Sequence, residues 1–480
     1  MNQEKQTAVN AVEEKKEVIC RAADQIWEYA ELSLQEEKSA AYYCRVLREE
    51  GFLVEEGICN IPTAFAASFG TGSPRIGILA EYDALSGLSQ KAGCTEPREH
   101  IPGGCGHGCG HNLLGAGAMA AAIGIKAYLE KSKKPGTVIL YGCPGEEGGA
   151  AKAFMARDGL WKSLDAALTW HPEDVNEVNT GSSNSCIQTQ YKFSGVASHA
   201  AGAPEKGRSA LDAVELMNIG VQFLREHTSD KARIHYAITD TGGVSPNVVQ
   251  PKASVLYMVR SNHVAEAVEL QERVDRIAQG AALMTDTKVE KKFIDGLADT
   301  VPNSVLEQVL YENFKELGVP SYTQEELEFA DALAGTYAGS DGVPGVAAEY
   351  DTAAKEEVQA MQKKAGHAMN AFLAPLYKGE AFTPGSTDVG DVSWLTPTAQ
   401  IHVAAWPNGC PGHSWQNVSS GGTSIGHKAA VQAGKVLAAA GVELFEKPEL
   451  LAAAREEFEK RTASGYVCPI PADAVPVVPD

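Results

Sequence analysis

The stretch Gly103 to His111, GGCGHGCGH, packs Cys105, His107, Cys109 and His111 into seven residues. Thiolate and imidazole are ligands that Zn²⁺ and similar ions prefer. Glycines let the backbone fold tightly around an ion. A closed structural zinc site needs four ligands, and this Cys-x₃-Cys pair has no second pair downstream, so a zinc finger is a poor match. The plain alternative is a glycine-rich loop with incidental Cys and His. A second signal is PGEEGG at 144–149, directly after the apolar run TVILYG. It sets Glu146 and Glu147 at the C-terminal end of a strand, where α/β proteins place their sites. In an extended segment adjacent side chains point to opposite sides. One carboxylate can then ligate a metal while the other faces a water on it.

Two histidines repeat that placement. His171 follows the strand AALT, and His413 lies in GCPGHSWQ, after the apolar run 401–406. His402 and His427 are rivals for the last role. His413 is preferred because Gly and Pro surround it, as in a site loop. His402 alternates with apolar neighbours inside a strand, and His427 begins a helix.

The elements that must position these groups follow from periodicity. Helical spacing of Val18, Ile19, Ala22, Ile26 and Trp27 predicts helices over about 8–50. Strands are expected at 52–54, 64–69, 75–80, 137–142 and 166–169, and helices at 113–130 and 150–162. Strands alternating with helices imply an α/β fold with a mixed or parallel sheet. From 188 to 300 the order becomes β-α-β-β-α-β, a ferredoxin-like unit complete in itself. The expected organisation is a discontinuous α/β domain, 1–187 and 301–480, that bears the candidate metal ligands and carries an inserted domain at 188–300. Acidic helical text around 325–375 falls between core elements and has no assigned place. The prolines of the last ten residues, PADAVPVVPD, predict an extended tail.

Composition limits the partners. The chain has 480 residues, with 41 Lys and Arg against 62 Asp and Glu, a formal net charge of −21. Nucleic acid and anionic membrane both want a basic face, so neither is expected as a partner. The N-terminal stretch lacks the apolar core of a secretory signal, and the run 115–125 is too short to span a bilayer. The ten cysteines show no disulfide framework. The reading is a cytoplasmic protein with reduced thiols.

The motifs AEYDALSGL (80–88), GHGCGHNLLGAG (106–117), PGEEGG (144–149), WHP (170–172), SHAAGAPEKGRSALDA (198–213), GGVSPNVVQP (242–251), GSTDVGDVSW (385–394) and PGHSW (411–415) lie in one order along nearly the whole chain. In this the chain resembles the aminoacylase and carboxypeptidase-G-type metallo-amidohydrolases, in the branch whose metal motif reads Cys-Gly-His. The resemblance implies two divalent ions, Zn or Mn, held by Cys109, His111, Glu147, His171 and His413, with Glu146 as general acid and base. It implies that His199 and Asn247 contact the scissile group or its oxyanion, often across a dimer contact, and that Arg260 grips a substrate carboxylate. Asp83 would orient a ligand; Asp388 and Asp391 would do likewise or merely shape a turn. Asn112 departs from the Asp found in many cysteine-type relatives. Cys105 and His107 are extra and receive no ligand role. The implied reaction is amide hydrolysis of a small anionic N-acyl amino acid. p-Aminobenzoyl-glutamate is favoured; the alternatives are other N-acyl amino acids, dipeptides, or a poorly active subunit of a heteromeric amidohydrolase. A homodimer, or a heterodimer with a similar chain, is implied, with the inserted domain 188–300 as a lid or dimerisation domain. Trp170, Trp406 and Trp415 stand beside the candidate ligands and suit either an aromatic acyl pocket or the core.

Overall fold

The computed structural model describes residues 1–478. Its larger sheet has seven strands in the order Leu53–Glu56, Phe65–Thr71, Gly136–Gly142, Arg75–Ala80, Ala166–Glu173, Thr398–Ala404 and Glu177–Asn179. The four central strands, from Gly136–Gly142 to Thr398–Ala404, run parallel, and antiparallel strands close both edges. The sheet is mixed. Along Gly136–Gly142 the side chains alternate between two apolar clusters. Val138 and Leu140 join one, and Ile139 and Tyr141 join the other. Both faces are therefore covered, which is why the strand reads as a continuous apolar run.

On the first face the helix His111–Ser132 packs against Ser424–Glu446. Their glycines and alanines set the approach: a Cβ at Gly434 would stand 2.5 Å from the Cβ of Ala120. His111–Ser132 is the one helix long and apolar enough to cross a membrane among the described residues, and 89% of its apolar stretch is buried inside the fold. It is the core helix of this face.

The expected ferredoxin-like order is present as a second, four-stranded antiparallel sheet. Its strands run Arg233–Asp240, Lys252–Ser261, Ser185–Ser194 and Lys288–Leu297. Helices Ala210–Arg225 and Val264–Met284 pack on it around their own apolar cluster. This sheet begins at Ser185, three residues before the expected boundary. The turn-rich GGVSPN stretch leads into Val248–Val249, which pairs with Ser198–His199 as a small separate ribbon.

Three local expectations change. The N-terminal helical stretch is three helices, Gln3–Glu14, Lys16–Tyr29 and Glu37–Glu49. The helix expected over 150–162 stops at Arg157, because Gly159 turns the chain at φ +79°. The strand expected to end at Thr169 runs on to Glu173, since Thr398–Ala404 pairs with it throughout. Residues 471–478 of the tail carry no helix or strand; Pro479 and Asp480 lie outside the described residues.

Candidate metal centre

The centre forms at the C-terminal ends of the parallel strands. Strand Arg75–Ala80 delivers Glu81 and Asp83, and the strand ending at Gly142 delivers the loop with Glu146 and Glu147. Strand Ala166–Glu173 carries His171 within it, level with His402 on the neighbouring strand. Gly110, at φ +74°, turns the chain into the helix that starts at His111. A side chain at Gly110 would meet Pro172 at 2.6 Å, so only glycine lets the Cys109-Gly110-His111 turn approach so closely.

Asp83 fixes His111. Its Oδ1 lies 2.8 Å from His111 Nδ1, and its Oδ2 accepts from Ser33 Oγ at 2.7 Å and from the Glu147 N–H at 2.9 Å. Burial alone would raise the Asp83 carboxyl; the charge of His111 and these hydrogen bonds outweigh it and hold the pKa below the ordinary value. His111 Nε2 is thereby turned inward, 3.3 Å from Glu81 Oε2. Cys109 Sγ lies 3.3 Å from His171 Nε2, and His413 Nε2 lies 3.3 Å from Glu147 Oε1. His413 sits at φ +53°, a left-handed conformation that marks a built loop.

Three sets of donor atoms converge, each within 4.8 Å: Cys109 with His111 and His171; Cys109 with Glu147 and His413; Glu81 with His111 and Glu146. The first two share Cys109. His111 Nε2 is buried without a hydrogen-bond partner, an arrangement that costs free energy unless a ligand satisfies it, and Glu147 Oε1 is met only by His413. Soft thiolate, imidazole and carboxylate donors are the set a borderline divalent ion takes. The residues fit such ions.

The two adjacent carboxylates diverge, though not through an extended backbone. Residues 146–149 form a turn, closed by bonds from the N–H groups of Gly149 and Ala150 to the Gly145 carbonyl at 2.8 and 2.7 Å. Glu147 leans towards His413. Burial raises its pKa, but the His413 hydrogen bond and the charge of His111 outweigh that and hold it below the ordinary value. Glu146 sits with Glu81 and His111. Burial, then the charges of Glu81 and Glu147, push its pKa well above the ordinary value. Two neighbouring carboxylates thus hold opposite protonation tendencies, the arrangement that separates a proton carrier from a ligand.

Sequence reasoning missed the groups behind this centre. Lys152 is fully buried; its ammonium lies 2.7 Å from Glu81 Oε1 and pairs with Asp388, whose other oxygen accepts from the Lys152 N–H at 2.9 Å. Glu173 stands 3.5 Å from His171 Nδ1 and orients that ring. Glu81 had a signal, since it lies two residues from Asp83 in an extended segment. Glu173 had the same two-residue offset from His171. Lys152, in a short and mostly apolar helix, had none.

The remaining sequence candidates separate. Arg260 lines the same cavity as the donors, a space of about 1060 Å³, and donates to Ser386 Oγ at 2.8 Å. His199 and Asn247 lie together on the small ribbon, where the Ala200 N–H donates to the Asn247 carbonyl at 2.9 Å. Both are exposed, and within one chain neither lines that cavity. His402 lines the cavity but pairs with Glu177 at 3.2 Å, and His427 faces Asp24 at 2.6 Å. The tryptophans do not wall the cavity. Trp170 and Trp406 are core, the former donating to the Leu114 carbonyl at 2.9 Å. Asp391 is a brace, accepting from the Ala298 N–H at 2.9 Å and Tyr466 OH at 2.6 Å. His107 is an anchor. It is buried, its Nε2 reaches the Ile26 carbonyl at 2.9 Å, and burial lowers its pKa to about 4. Asn112 is buried and bonds the carbonyls of Ala23 and Gly421 at 3.3 and 3.4 Å.

The 325–375 segment also finds its place. It folds as helices Gln324–Ala334, Val346–Tyr350 and Thr352–Ala365. Val346 N–H donates to Glu177 Oε2 at 2.8 Å, and Asn408 Nδ2 donates to the Ser340 and Gly342 carbonyls at 2.9 and 2.8 Å. It forms one wall of the cavity.

The family model for Peptidase family M20/M25/M40 matches residues 77–460, from within strand Arg75–Ala80 to the C-terminal helix. The chain belongs to this peptidase family. This M20 chain is 45% identical over 471 residues to one of the subunits of p-aminobenzoyl-glutamate hydrolase from Escherichia coli (strain K12), covering 97% of each. It is 25% identical over 468 residues to the Xaa-Arg dipeptidase of Mus musculus, covering 95% of this chain and 92% of that one. A crystal structure of a Bacillus subtilis dinuclear metal binding peptidase of the M20 family shares its fold. The TM-score is 0.55 at 17% identity, covering 90% of this chain and 99% of the other. The M20 chain is a hydrolase of amide bonds.

Proposed function

We propose that the chain cleaves the amide bond of an N-acyl amino acid, with p-aminobenzoyl-glutamate as substrate and p-aminobenzoate and glutamate as products. The observation that carries the mechanism is the pair of donor sets joined at Cys109, with a buried Glu146 beside them in a cavity large enough for such a ligand. The near-complete alignment with the Escherichia coli hydrolase chain supports the substrate. Cys109, His111 and His171 would hold one divalent ion, and Cys109, Glu147 and His413 a second, zinc or manganese. When bound, such ions supply Lewis-acid polarisation of the amide carbonyl and lower the pKa of the attacking water.

Glu146 takes the proton from that water and returns it to the leaving nitrogen. Burial and the neighbouring carboxylates that raise its pKa make it a stronger base for the first of these transfers. Arg260 binds a substrate carboxylate through its planar guanidinium. His199 stabilises the oxyanion and Asn247 contacts the scissile group. Their exposed ribbon reaches a site only when the inserted unit, 188–300, closes or when a second chain supplies it.

A partner chain has support of its own. The edge strand Arg233–Asp240 exposes Tyr236 and Ile238, and the helices packed on the same sheet expose Phe223 at 72% and Leu283 at 83%, large apolar groups free to bury against another protomer. The Escherichia coli relative is one subunit of its hydrolase, which favours a heterodimer as the second arrangement. The test is glutamate release from p-aminobenzoyl-glutamate by the purified chain, alone and mixed with a similar chain, with metal content measured in parallel. Metal uptake with turnover supports the enzyme. Metal uptake with no turnover in either form overturns it.

A further inference from the structure

Besides its histidines, the cavity at the metal centre has two cationic lining residues, Arg260 and Lys355. Its carboxylates outnumber them. Away from the donor sets, Glu173, Asp174, Glu177 and Glu349 all line it. With a net charge of −21 the whole chain repels a dianion, so local cations must provide whatever attraction a dicarboxylate feels. Arg260 is one such cation and is already held by Ser386.

Lys355 is the other, and it comes from the helical segment that the sequence could not place. It is exposed, lines the cavity, and its ammonium makes no ion pair among the described residues. The helix that carries it, Thr352–Ala365, is firmly based. Val358 is fully buried against Val175, Ala348 and Ala374. Asp351 caps the helix, accepting from the N–H groups of Ala353 and Ala354 at 2.8 and 3.3 Å. Tyr350 OH donates to the Phe382 carbonyl at 2.8 Å. A compact ammonium on a flexible stem, set on a fixed helix, suits a single carboxylate at the end of a side chain. Ser182 and Thr383 line the same cavity and bring hydroxyl donors to it.

We propose that Lys355 binds the side-chain carboxylate of the substrate's amino acid, while Arg260 takes the other carboxylate. The site then selects acyl derivatives of dicarboxylic amino acids over neutral ones. This rests on the amide hydrolysis proposed above. It adds a second anion subsite and gives the 325–375 segment a role in specificity.

The experiment compares kcat/KM for N-acyl-glutamate and N-acyl-glutamine carrying the same acyl group, in wild type, Lys355→Met and Lys355→Arg. The two substrates differ by one charge at nearly constant shape. Wild type should prefer the glutamate substrate. Lys355→Met should lower its kcat/KM about tenfold or more, mainly through KM, as expected for loss of one charge-assisted bond. The glutamine substrate should change less than about twofold, and Lys355→Arg should keep most of the preference. Equal losses on both substrates, or an unchanged preference in Lys355→Met, overturn the assignment and leave amide hydrolysis standing. Failure of wild type to cleave either substrate overturns the hydrolase reading and this assignment with it.

Discussion

Cys109 Sγ stands 3.3 Å from His171 Nε2, although 62 positions separate the two residues in the chain. One precedes the first turn of a core helix and the other lies within a central strand. The same thiol also belongs to the set with Glu147 and His413. A group shared by two donor sets is a joint, and its removal should not act on one position alone.

Cys109→Ala is therefore expected to lose metal from both positions, whereas His413→Ala should lose it mainly from one. Elemental analysis after dialysis against limiting chelator reads this directly. Retention of a full complement by Cys109→Ala would remove the thiol from the ligand set.

Glu146→Gln keeps the shape of the side chain and removes its ability to carry the proton. Turnover should fall about 10²-fold or more, the usual contribution of a positioned acid or base. Metal content and melting temperature should stay near wild type. Full activity in this variant would exclude Glu146 from the proton transfer.

Lys152→Met replaces a fully buried ammonium and strands Glu81 and Asp388 without their common partner. Breaking a buried pair from one side costs about 3–5 kcal/mol. Urea or thermal unfolding should show that loss, and the double variant Lys152→Met with Asp388→Asn should recover part of it. No recovery would mean that packing, not charge, dominates here.

Glu307 is buried, accepts from Thr180 Oγ1 at 2.6 Å, and has its pKa raised by burial to about 7. The folded chain then binds the proton more tightly than the unfolded chain. This term makes stability fall as pH rises from about 4.5 to about 7, after which it levels off. Glu307→Gln can keep the Thr180 bond without the charge. Its melting temperature should match wild type near pH 4.5 and exceed it at pH 8, by about 1–3 kcal/mol in stability. A gain that does not grow with pH would show that the carboxylate is not the strained form.

Much of the centre was legible because ligand chemistry is local in kind. Cys and His separated by glycine, two adjacent glutamates after a buried strand, and a His flanked by Gly and Pro are readable without a fold. The elements that carry them were legible for a related reason: backbone hydrogen bonding imposes periods of 3.6 and 2 on apolar side chains. The order β-α-β-β-α-β between Ser185 and Leu297 followed from those periods alone.

What the sequence determined by itself was a group of candidate donors, a pair of adjacent carboxylates and the order of elements, each a property of short stretches; the roles expected of those residues came from the resemblance. Tertiary structure decided which distant groups meet. It joined Lys152 to Asp388 across 236 positions and turned Glu81 towards His111. It extended the strand through His171 by pairing it with Thr398–Ala404, and left His199 and Asn247 outside the cavity of their own chain. It also brought the 325–375 segment over the site. Such contacts form between surfaces that no local period encodes, and the desolvation of charges buried there is set by all their neighbours at once.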